Sequence, residues 1–130
     1  MDKKELIRYW VDTALRDYNT MLHLYETGDY HWSLFIGHLV IEKLIKAIYV
    51  KNVSDNPPRI HDLSRLAEKA LIHTTDEQKD VLDLLTTFNI NVRYPDYKHE
   101  FYKKCTKEYA WENIERIREM KEWLLSLLQE

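Results

Sequence analysis

The residues best suited to chemistry gather in one short stretch of the chain. Between Arg93 and Lys107 lie five basic residues (Arg93, Lys98, Lys103, Lys104 and Lys107) and two acids (Asp96 and Glu100). The stretch carries +3, which leaves −6 for the rest of a chain whose net charge is −3. A local cationic site on an acidic body suits a polyanionic ligand and excludes a uniformly basic nucleic-acid binder. Arg93 and His99 stand within it, five residues between them. Histidine exchanges protons near neutral pH, and the forked, permanently charged guanidinium matches a phosphate. Tyr94, Tyr97 and Tyr102 alternate with these groups. Tyrosines near cations can stack on bases, although most tyrosines simply pack with a wet hydroxyl.

Other constellations are weaker. His38 and Glu42 share one helix face and could share a metal, with His31 as a third ligand, but two ligands do not close a site. Pairing of Glu42 with Lys46, one turn on, is the simpler reading. His61 reads as a turn or capping residue. No metal and no cofactor is expected. Trp10, Trp32, Trp111 and Trp123 read as core or dimer contacts.

The elements that must position these groups are helices. The 130 residues suit one domain, 1–130, large enough to fold without a disulfide or metal. Two glycines and three prolines among 32% charged residues argue for amphipathic helices and against a turn-rich β fold. The lone Cys105 permits no internal disulfide, and no apolar run approaches the length of a membrane span. The N-terminus lacks a signal-peptide core, so a cytoplasmic protein without membrane contact is expected.

Apolar residues at three- and four-residue steps predict a first helix from about Lys4 to Tyr25, ended by Gly28. Asp29 is placed to cap the second, from about Tyr30 to Lys51, which is apolar on most sides and hence central. Asn56-Pro57-Pro58 breaks the pattern. Asp62 then caps a short helix through about Ile72, with Leu63, Leu66, Ala67 and Leu71 inward. Thr75 and Gln78 form a capping box for a fourth helix carrying Val81 to Phe88. Asn89 to Cys105 loses periodicity around Pro95 and reads as an irregular connector. A last helix runs from about Lys107 to Leu128. The expected fold is all-α, an up-and-down bundle of four to five helices.

Three passages carry a family resemblance. Gly37-His38-Leu39-Val40-Ile41-Glu42-Lys43-Leu44-Ile45-Lys46-Ala47 resembles the Glu-Lys-x-x-Lys-Ala core of small prokaryotic HEPN proteins. Pro57-Pro58-Arg59-Ile60-His61-Asp62-Leu63 is similar to that family's His-Asp-Leu lead-in to the next helix. Asn91-Val92-Arg93-Tyr94-Pro95-Asp96-Tyr97 is similar to its Arg-Tyr-Pro segment before the last helix.

The resemblance implies a HEPN-like helical bundle that forms a homodimer. It also implies a minimal nucleotidyltransferase as partner, in a toxin–antitoxin-like pair. Catalytic members of the wider family are metal-independent endoribonucleases that use an arginine, four to six residues, then a histidine. Arg93 and His99 fit that spacing and become the catalytic candidates, with Lys98, Lys103, Lys104, Tyr94 and Tyr97 as RNA- or nucleotide-binding candidates. Arg16 and His23 fit the spacing too, so position singles out Arg93. The sequence departs from the family at Tyr94, where a small polar residue is usual. It departs again at Phe101, two residues after His99, where some relatives carry a tyrosine that the partner modifies. The alternative expectation is a non-catalytic nucleotide-binding or protein-scaffold module, with Arg93 in a structural ion pair to Asp96 or Glu42.

Overall fold

The computed structural model describes residues 1–129, and every regular element among them is a helix. In chain order they are α1 (Lys3–Glu26), α2 (Tyr30–Asn52), α3 (Leu63–Lys69), α4 (Asp76–Arg93), α5 (Pro95–Lys104) and α6 (Lys107–Leu128). α2 is the axis of the bundle. Leu34, Val40, Ile41, Leu44, Ile45 and Ile48 bury on different sides of it, against α1, α6, α4 and α3. A helix apolar on most sides has nowhere else to go. No helix among the described residues is long and apolar enough to cross a membrane.

The helix ends follow local chemistry. Asp2 starts α1 by accepting the Glu5 amide, and Asp62 starts α3 by accepting that of Arg65. Thr75 and Gln78 make both halves of the capping box at α4. Gly28, at φ +83°, turns the chain between α1 and α2. Asp29 differs from expectation: it occupies the N-cap position just before α2, yet its carboxylate accepts the Thr27 hydroxyl instead of a helix amide. Leu71 also differs. It takes a left-handed φ of 62° that ends α3 early, stands 63% exposed, and hands the inward position to Ile72.

Gly37 lets three helices meet. Ile117 of α6 and Met21 of α1 crowd the space a β-carbon would fill there. The residue is not a hinge but a point of contact, which fixes the depth at which α2 sits.

The main departure lies at residues 89–105, where a connector was expected and nearly continuous helix is found. The burial of Leu82, Leu85, Phe88, Asn89 and Val92 carries α4 through to Arg93. Tyr94 alone is extended, at φ −108° and ψ 124°, and Pro95 is the first residue of α5. Proline forbids helix before it but favours the first helical turn, where its missing N–H is not needed. Among the described residues the bundle therefore has six helices, one more than the four to five expected.

Candidate nucleic-acid site

α4 delivers Arg93 at its last residue, on the side facing α2. The arginine is exposed. Its Nε donates to Oδ1 of the buried Asn89 one turn earlier, and its guanidinium carbon lies 5.9 Å from the centre of the Phe35 ring. Among the described residues it makes no ion pair, with Asp96, Glu42 or any other acid. The expected structural ion pair is thus replaced by a hydrogen bond and a ring. Both terminal nitrogens are left without a partner among the described residues.

α5 spreads its polar groups around a cylinder, because each residue turns about 100° from the last. Phe101 faces inward and packs on Phe88, ring centres 5.5 Å apart. Lys98 reaches back to α2, its Nζ 4.7 Å from the centre of the Trp32 ring. Lys98 and His99 line an open cleft of about 320 Å³ with His31, Pro95 and Tyr102. The His31 ring is buried between Trp32 and Tyr102. Burial holds it below the usual imidazole range, and the charge of Lys98 adds to that, against the opposing pull of Asp29.

The remaining candidates lie elsewhere on the helix. Tyr94 is exposed at the joint. Tyr97 and Lys104 line a second depression with Asn91, Glu100 and Phe101, and Lys104 also lies over the Tyr109 ring. Lys103 faces the α1–α2 turn, 3.9 Å from Glu100. The structure therefore groups Lys98 with His99, and sets Tyr97, Lys103 and Lys104 apart from them.

Sequence reasoning missed a polar network buried beside this surface. Glu42 sits on α2, one turn beyond His38, and is 4% exposed. It accepts hydrogen bonds from His61 Nδ1 at 2.9 Å and Lys46 Nζ at 3.2 Å. Burial opposes its charge. The His61 bond, with Lys46 and His38 beside it, outweighs that and holds the carboxyl below its usual range. His38, wholly buried, donates from Nε2 to the His61 carbonyl at 3.2 Å. Its own Nδ1 has no partner among the described residues. Burial holds His38 below its usual range as well, and it stays neutral. The Glu42–Lys46 pair was legible as an i,i+4 contact. The His61 bond joins residues 19 apart, and no periodicity announces it. His61 lies in the connector just before Asp62, and Asp62 caps α3 as expected, so the role of His61 is this bond and not a cap.

The metal possibility finds no support in the arrangement of the side chains. His31 belongs to the α5 cleft, while His38 points at a carbonyl oxygen. No group of three or more His, Cys, Asp or Glu among the described residues is arranged to hold a metal ion.

A family model described as the HEPN domain matches residues 7–127. The chain belongs to the HEPN domain family. No curated protein and no solved structure matches it. The HEPN match runs from the first helix to the last and takes in Glu42, His61, Arg93 and His99. An all-helical bundle is the fold that membership requires.

Proposed function

We propose that this HEPN chain binds RNA along the α2–α4–α5 face and cleaves it without a metal, as a homodimer paired with a minimal nucleotidyltransferase. The observation that carries this reading is the state of Arg93. It is exposed, makes no ion pair among the described residues, and is held only by its Nε hydrogen bond to Asn89 and by the Phe35 ring. Such a fork can grip a phosphodiester and stabilise charge that grows on its oxygens. His99, on the following helix, takes the proton from the ribose 2′-hydroxyl. The 2′-oxygen then attacks phosphorus as the bond to the 5′-oxygen breaks, and the departing 5′-oxygen receives the proton that His99 took, giving a 2′,3′-cyclic phosphate and a 5′-hydroxyl. Lys98 adds charge beside Trp32, and Tyr102 offers a ring for a base. Dimerisation and the nucleotidyltransferase partner come from the family resemblance.

One observation favours a second reading. Tyr94, bulky and exposed, occupies the position after Arg93 where catalytic relatives place a small polar residue. A binding module that does not cleave would tolerate it.

The test compares wild type, Arg93→Ala and His99→Ala, each freed of partners and incubated with RNA in chelator. Cleavage by wild type, slowed about 100-fold or more in each variant, is the expected result. Equal cleavage by all three, or none by wild type, removes the ribonuclease reading. RNA affinity that does not fall with added salt removes the electrostatic interface as well.

A further inference from the structure

The network under the α2–α3 connector does something that core packing does not require. Glu42 is buried and charged, and His38 is buried with an orphan nitrogen. Apolar side chains of similar volume would hold this connector on α2 at least as well. What these groups achieve together is to fix His61. His38 grips its carbonyl and Glu42 grips its ring. The side chain of His61 is nevertheless 52% exposed. With Nδ1–H committed to the carboxylate, the neutral ring keeps its lone pair on Nε2. That nitrogen has no partner among the described residues. A carboxylate that holds an imidazole in one orientation and one tautomer, basic nitrogen outward, is the arrangement that readies a general base.

Arg93 lies on the same flank. Phe35, which carries its guanidinium, precedes His38 and Glu42 on α2, and the charge of Arg93 is felt at His38. Phe35 and Glu42 are about 10 Å apart along the helix axis, at 1.5 Å per residue. His31, which lines the His99 cleft, lies on the opposite side of Phe35 from Glu42. His61 and His99 thus stand toward opposite ends of the Arg93 position. The groups on the His61 ring, its carbonyl and its anchor are Glu42, Lys46 and His38, all from α2, and the charge of Arg93 reaches this group at His38.

We propose that His61 is a second catalytic histidine of the Arg93 site, the general base for the ribose 2′-hydroxyl, with Glu42 as its positioning residue. The proposal rests on the ribonuclease reading and moves His99 from base to acid. Nε2 of His61 takes the 2′-hydroxyl proton. The 2′-oxygen forms its bond to phosphorus while the bond from phosphorus to the 5′-oxygen breaks. The departing 5′-oxygen takes a proton from the imidazolium of His99, and Arg93 holds the non-bridging oxygens. A 2′,3′-cyclic phosphate and a 5′-hydroxyl result, and no oxidant or reductant is consumed.

The experiment uses the full chain and a short RNA, in chelator, with wild type, Arg93→Ala, His61→Gln and Glu42→Gln. Glutamine at 61 keeps an N–H that can donate to Glu42 but has no basic nitrogen to take up a proton, and melting checks that its variant keeps the fold. Its kcat is expected to drop about 100-fold or more with KM for RNA little changed, and added imidazole restores part of the rate. Nitrogen-15 NMR of the wild type is expected to show neutral His61 protonated at Nδ1, and Glu42→Gln to mix its tautomers. If wild type cleaves and His61→Gln keeps pace, this proposal falls and the Arg93 reading stands. Neutral His61 protonated at Nε2 in wild type overturns it too, whatever becomes of Glu42→Gln. A wild type that cleaves nothing overturns both.

Discussion

Replacing Gly37 by alanine tests the packing that sets the depth of α2, one residue before His38. A β-carbon there overlaps Cδ1 of Ile117 and comes to 3.0 Å from Sδ of Met21. Two effects oppose each other. Alanine is favoured over glycine inside a helix by about 0.8–1 kcal/mol. Forcing extra volume into a packed core costs about 1–3 kcal/mol. Ile117 and Met21 are fully buried, so neither can swing into solvent, and the cost lies toward the upper end. The expected net loss is about 1–2 kcal/mol. For a chain of this length that lowers the melting temperature by about 4–7 °C. Thermal and urea unfolding followed by circular dichroism measure it. Ile117→Val removes the obstructing methyl and alone costs about 0.5–1.5 kcal/mol. Combined with Gly37→Ala it should cost less than the sum, because the two changes relieve each other. A Gly37→Ala protein at least as stable as wild type refutes the close approach. Strict additivity refutes Ile117 as the obstacle.

Two further outcomes follow from the buried titratable groups. Stability should fall on acidification in two stages. His38 is held neutral in the fold, so below its ordinary value of 6.5 the unfolded chain binds the extra proton and gains ground. Glu42, held below its ordinary 4.5, gives stability that is present above that value and lost as pH falls through its lower folded one. Melting temperatures from pH 8 to pH 3 check both stages, and a rise between pH 7 and pH 5.5 would contradict the first. Cys105 is buried and its thiol is pushed up to about 12, so it should resist alkylation at neutral pH until urea unfolds the chain. Labelling of native protein at the unfolded rate would show that site to be open.

How much the residues announced depended on how many neighbours each element has. α1, α2 and α6 bury long stripes, so their apolar spacing is loud, and the Thr75–Gln78 box marks the start of α4 without help from tertiary contacts. α5 was unreadable for the opposite reason. Phe101 is its one buried residue, so a helix of ten shows no stripe, and Pro95 reads as an end when it is a beginning. The site divides in the same way. Arg93, Lys98 and His99 stood out by charge and by their place in a family segment. Glu42 and His61 are linked through space, and charge pairing along one helix pointed only to Lys46.

The thin attachment of α5 has a consequence for motion. One buried ring, Phe101 against Phe88, seats it on the bundle, with Lys98 on Trp32 and Tyr102 on His31 at its more open edge, and one extended residue, Tyr94, ties it to α4. Local opening draws on the segments with the fewest buried side chains. The cheapest excursion of this molecule therefore swings away the arm that bears Lys98 and His99. Amides of α5 should trade hydrogen for deuterium well ahead of those in α2, and a bound strand that bridges Arg93 and Lys98 would act as the latch.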